Sequence, residues 1–207
     1  MISESCYWKD ELYKCYLILA KFINQKRYFE SSFVKAEKAI MLSAYIIRKL
    51  NDAEKIPPDF LKSSMTLTYF NSTERTVDHY TSIDFDKNYH LDAEKKESNN
   101  IGFFINQIIH SFSYSIVFSK DLKTPEGFFL NSDNTKNSKL FYFSLDKYLE
   151  LILRISEGWI SSQLNIRDEK THEMKLKEAT YEYPENFSLN KIVKDTFKGN
   201  IYKRERL

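Results

Sequence analysis

Apolar residues recur along most of this chain at the three- and four-residue spacing of a helix. Trp8, Leu12, Cys15, Leu19 and Phe22 form one such stripe, which predicts an amphipathic helix over 5–25 with Ser3 or Ser5 as its cap. A second stripe, Phe33, Ile40, Ala44 and Ile47, predicts a helix over 29–52, and Pro57-Pro58 stops any continuation. Residues 59–70 read as a short helix running into a strand-like Leu67-Thr68-Tyr69-Phe70. The polar stretch 71–100, which closes on Glu94-Lys95-Lys96-Glu97-Ser98-Asn99-Asn100, reads as an exposed loop.

A third long helix is predicted over 100–116. On it Ile101, Phe104, Ile105, Ile108, Phe112 and Ile116 project within a sector of roughly 120°. Two short aromatic runs, 126–131 and 139–143, flank a segment of turn formers and predict a β-hairpin. Ser144 stands at the cap of a fourth helix over 145–163, with Tyr148, Leu149, Ile152, Ile155 and Trp159 inward. In the tail, Met174-Lys175-Leu176 and Tyr181-Glu182-Tyr183 alternate like strand, Pro184 breaks the run, and 188–197 reads as a short helix. The fold these elements predict is mainly α. It is a bundle of about four long helices over 1–165, with a small inserted β-hairpin near 126–143 and a mixed C-terminal extension over 166–207.

Composition narrows the function more than the fold. The chain has 207 residues, 42% hydrophobic and 15% aromatic, enough to build a core and too apolar for disorder. Only four glycines occur, and no dinucleotide or P-loop glycine pattern is present. A net charge of +2 gives no bulk attraction to nucleic acid. Cys6 and Cys15 lie nine residues apart on one helix, roughly 13 Å along its axis, so they read as free thiols of a reducing compartment. The first residues have neither the basic nor the apolar region of a secretory signal, and no apolar run approaches a membrane span. A cytoplasmic location and no membrane partner are expected. His79, His90 and His172 are scattered without metal-ligand spacing, so neither a metal nor another cofactor is expected.

Candidate chemistry centres on Asn106 and His110, four apart and so stacked on the helix face opposite the apolar sector. On the second helix, Glu37 and Arg48 project within about 20° of each other but roughly 16 Å apart along the axis. Each then needs a partner on another helix, and Asn106 and His110 are placed to supply it. An imidazole serves as acid or base at neutral pH, and a guanidinium stabilises phosphate charge. The same residues also read as a polar network fastening the helices together.

The segment Ile105-Asn106-Gln107-Ile108-Ile109-His110-Ser111 resembles the HEPN superfamily of prokaryotic toxin, abortive-infection and defence proteins. The family signature is an Arg, often followed by a polar residue, then a His four to six residues beyond the Arg. Asn106 and His110 match the polar residue and the His, whereas Phe103, Phe104 and Ile105 stand where the Arg belongs. The resemblance implies a helical bundle acting in bacterial defence or stress response, through a protein partner or as a homodimer. It also implies an alternative, metal-independent RNA cleavage by His110 with Arg48 or Asn106, in which RNA is the substrate.

Overall fold

The first two helical stripes set the frame of the computed structural model, which describes residue 2 and residues 4–204. Helix α1 (Ser5–Ile23) and helix α2 (Glu30–Asp52) form a helical hairpin, burying Leu12, Cys15, Leu19 and Phe22 from one side and Ile40, Ala44 and Ile47 from the other. Burial pushes the Cys15 thiol up to about 11, which leaves it a packing residue, while Cys6 is exposed and equally free. Ser3 and residues 205–207, parts of the expected cap and C-terminal extension, lie outside the described residues.

The remaining elements are β1 (Ser64–Asn71), α3 (Phe85–Asn88), β2 (Lys95–Asn100), α4 (Ile101–Ile109), β3 (Ser111–Phe118), β4 (Pro125–Ser132) and β5 (Lys139–Ser144). They are followed by α5 (Leu145–Glu157), β6 (Trp159–Arg167), β7 (Met174–Glu182) and α6 (Leu189–Phe197). Strands β2-β1-β5-β4-β3 make a five-stranded sheet with every neighbouring pair antiparallel. One face presents Leu67, Phe128, Leu130, Phe141 and Phe143 to the helices, in the period-two pattern of a half-buried sheet. The other face carries Phe70 and Leu140, covered by Val77 and Tyr89 from the stretch between β1 and β2.

This architecture is α+β and corrects the mainly α bundle expected from periodicity and implied by the resemblance. Four of the expected elements change. The short helix expected at the start of 59–70 does not form, since residues 58–62 are turns that lead directly into β1. The third helix stops at Ile109, because Ser111, Ser113 and Ser115 alternate with Phe112, Tyr114 and Ile116 and give β3. The fourth stops at Glu157, ahead of Gly158 and the extended run from Trp159; a side chain on Gly158 would collide with the Tyr181 ring. The expected polar loop contains β2, a charged edge strand whose Glu97 pairs with Lys139 of β5. Strands β4 and β5 are consequently the middle of a sheet, not a small insertion. At the start of α5, Ser144 makes no side-chain capping bond, whereas Asn100 caps α4 by accepting from the Phe103 N–H at 2.6 Å. Among the described residues no helix is long and apolar enough to cross a membrane.

The C-terminal segment folds back onto the first helix. Helix α6 packs on α5 and α1, and Tyr16 and Thr196 place their hydroxyls 2.8 Å apart. Beyond it, Arg204 donates to the Glu157 carboxylate at 2.8 Å, to the Ser156 carbonyl at 3.0 Å, and pairs with Asp10. Glu157 has a side chain only 1% exposed, so Arg204 is what neutralises it. Lys9, also buried, donates to the Gly158 carbonyl at 2.6 Å and to the Tyr181 hydroxyl at 3.1 Å. Burial first, and then the nearby Arg204 charge, push its ammonium down to about 8.

Two measurements check this clamp. Arg204→Ala leaves Glu157 as an unpaired buried charge, and urea denaturation should show a loss of about 3 kcal/mol. Lys9 titrates lower in the folded chain than in the unfolded one, so the unfolded chain holds more protons between about pH 8 and pH 10.5. Lys9 should therefore make stability rise with pH in that window, contributing on the order of 1–2 kcal/mol from pH 7.5 to 9.5. The buried Cys15 thiol above about pH 9, and the raised phenols above pH 10, among them Tyr89 at about 12, act in the opposite sense, because the unfolded chain loses those protons first. Lys9→Met should remove the Lys9 contribution, which is read most cleanly as a flattened rise below about pH 9 when urea midpoints are compared.

Candidate functional site

Helix α4 is short because its sequence turns to strand after nine residues, and that brevity leaves its last turn at the rim of a cleft against α2. Asn106 sits in this turn and His110 is the C-cap, its backbone N–H donating to the Asn106 carbonyl at 3.0 Å. Across the cleft, Arg48 in the last turns of α2 donates through Nη1 to Asn106 Oδ1 at 2.9 Å and through Nε to Asp52 at 3.0 Å. The cleft encloses about 600 Å³, and the turn between β4 and β5 closes its third side with Ser132, Asn134 and Thr135.

Three of the four residues singled out from the sequence therefore meet. Arg48, Asn106 and His110 all line this cleft. Glu37 does not. It lies exposed nearer the start of α2, where its charge faces Tyr114, a phenol pushed far up chiefly by burial and then by that carboxylate. The Tyr114 hydroxyl is buried without a hydrogen-bond partner among the described residues.

Sequence reasoning missed the residues that give the cleft its chemistry. Gln107 is adjacent to Asn106 but turns inward, 7% exposed, with its Oε1 accepting from the Thr135 hydroxyl at 2.9 Å. Lys49 follows Arg48 and holds its ammonium 5.7 Å from the centre of the Tyr45 ring, which forms one aromatic wall. Phe103 forms another and packs edge-on against Phe141. The signal available beforehand was the polar composition of the 132–138 turn, though nothing local ties that turn to α4.

The arrangement offers many hydrogen-bond donors and little acid–base machinery. The guanidinium of Arg48 already has two partners, and the His110 ring is exposed with no hydrogen bond to orient it among the described residues. A general base works best when a second group fixes its ring and tautomer. Among the described residues no group of three or more His, Cys, Asp or Glu is placed to hold a metal ion. No family model, no curated protein and no solved structure matches this chain.

Proposed function

We propose that this chain is a non-catalytic interaction module that acts through protein contacts, with the β6–β7 ribbon as its docking element and a second copy of the chain as its partner. The observation that carries this reading is the unprotected edge of β6. Among the described residues strand β6 pairs only with β7, and its nine residues include one charge, Arg167. Strand β7 carries Lys175, Lys177, Glu178 and Glu182, the usual defence of an edge against pairing.

The ribbon's register places Trp159, Leu164 and Ile166 on one face, opposite Glu182, Glu178 and Lys175. Those three apolar side chains are 43%, 47% and 44% exposed. The reverse face is the packed one. There Leu176 is buried, and its N–H donates to Glu54, just beyond α2, at 3.2 Å. Antiparallel pairing of β6 with itself about Leu164 sets Leu164 against its counterpart, Ser162 against Ile166 and Gln163 against Asn165. No like charges face each other in that register, and the apolar stripe becomes continuous across the two-fold axis. The bacterial defence setting belongs to this proposal through residues 105–111 alone.

One observation favours a second reading, metal-independent RNA cleavage: Arg48, Asn106 and His110 share a cleft. The two readings separate cleanly. Sedimentation velocity should show a concentration-dependent dimer that Leu164→Lys abolishes, with the melting temperature nearly unchanged because the position is exposed. A wild-type chain that stays monomeric through the high micromolar range would sink the ribbon reading. The purified protein should also leave single-stranded RNA intact in chelator. Cleavage that disappears in a stably folded His110→Ala variant, by about 10²–10⁴-fold, would install the second reading in its place.

A further inference from the structure

Residues 201–204 are held as a bound peptide is held. The last backbone–backbone bond of the C-terminal segment runs from the Asn200 N–H to the Asp195 carbonyl, and among the described residues none follows it. Side chains of α1 hold the backbone instead. The Tyr16 hydroxyl accepts from the Tyr202 N–H at 3.0 Å and the Tyr13 hydroxyl from the Arg204 N–H at 2.9 Å, while Tyr13 donates to the Tyr202 carbonyl at 2.9 Å. The segment's own side chains alternate as in an extended strand. Tyr202 turns inward, its ring edge-on to Tyr13, Tyr16 and Phe187 and its hydroxyl donating to Glu157 at 3.2 Å. Lys203 is exposed. Arg204 turns inward again, its guanidinium 4.5 Å from the centre of the Tyr13 ring while it bonds Glu157 and the Ser156 carbonyl and pairs with Asp10.

Glu157 makes this groove selective. It is the last residue of α5, where the negative end of the helix dipole disfavours a carboxylate, and it is buried as well. An apolar residue there would escape both costs, and buried ion pairs often stabilise no more than their apolar replacements. What the carboxylate adds is discrimination, because it tolerates only an occupant that brings a cation. Lys9, the other buried cation nearby, directs its ammonium to the Gly158 carbonyl and the Tyr181 hydroxyl.

We propose that the groove formed by Asp10, Tyr13, Tyr16, Glu157 and Phe187 is a docking site for an extended segment of a partner protein that carries an aromatic residue and an arginine two positions apart, and that the chain's own Tyr202–Arg204 fills it as an autoinhibitory strap. Gly199, at φ 93, turns the chain from α6 into the strap. A strap on so short a tether has an effective concentration in the millimolar range. An identical segment on a second copy therefore gains nothing by replacing it at micromolar concentration. A partner displaces it by adding contacts of its own beside the groove. No bond is made or broken in this step. The lining shares no residue with β6 or β7, so this proposal and the ribbon stand or fall separately.

Fluorescence anisotropy with a capped, labelled peptide of residues 199–204 tests it against the full chain. Arg204→Ala in the chain loosens the strap and leaves the groove residues in place. That chain should bind the peptide about tenfold or more tightly than wild type, in which the strap competes. Peptides with alanine for the tyrosine or for the arginine should bind it about tenfold or more weakly than the native peptide. If the Arg204→Ala chain does not fold, the Tyr202→Ala chain takes its place with the same expectations. Absence of binding to the folded variant at millimolar peptide, equal binding by wild-type and variant chains, or equal binding of native and alanine peptides would each overturn the proposal. A dimer of the Leu164→Lys chain that the peptide dissolves would give the groove to a second copy and overturn the partner reading.

Discussion

The structure depends on one buried hydroxyl and the aromatic cluster around it. Tyr148 on α5 donates to the Ile40 carbonyl at 2.8 Å and lies 2.7 Å from the Ser43 hydroxyl, which joins α5 to α2 in the centre of the core. Its ring meets Phe104, Phe128 and Phe143 edge-on, and Phe104 stacks on Phe143. Burial drives the phenol far above its ordinary range, so it remains a neutral donor. Four elements therefore converge on one residue: α2 through the hydrogen bonds, α4 and both central strands through the rings. The orientation of α4, and with it the cleft, follows from that convergence.

Helical periodicity was a sound guide where an element is long and packs on one side only. Helices α1 and α2 fall within two residues of the stripes that predict them. It misled at 101–118, where Phe112 and Ile116 fit a helical sector and a period-two strand equally well. The serines at 111, 113 and 115 break that tie, because they occupy alternate positions of a strand of which only Ser113 is fully buried. Helix propensity could not settle it, since the sheet that receives β3 is assembled from strands distant in sequence. The same holds for β2, whose charged residues are strand only because β1 is there to pair with them.

The candidate site was legible in part, for a reason of scale. Asn106 and His110 share a face whether the helix runs nine residues or sixteen, so the local inference survives the error in length. Arg48 reaches Asn106 because α2 and α4 pack face to face. Glu37 fails because the short α4 ends before it can run alongside the first half of α2. Tyr114, which a continued helix would have carried, lies on β3 beside it instead. Gln107 escaped notice because its partner Thr135 is brought in by the β4–β5 turn, a contact across 28 residues that no periodicity encodes.

Cations in this cleft have an ordinary explanation. Arg48 and Lys49 lie in the last turns of α2 and His110 caps α4, and positive charge at helix C-termini is favoured by the helix dipole with no ligand present. The same dipoles disfavour an anion there, by an amount similar to what one surface cation restores. Arg48 and His110 are thus compatible with a fastened pair of helices or with a binding site. Gln107 belongs to the fastening, because its Oε1 accepts from the Thr135 hydroxyl and ties α4 to the turn between β4 and β5.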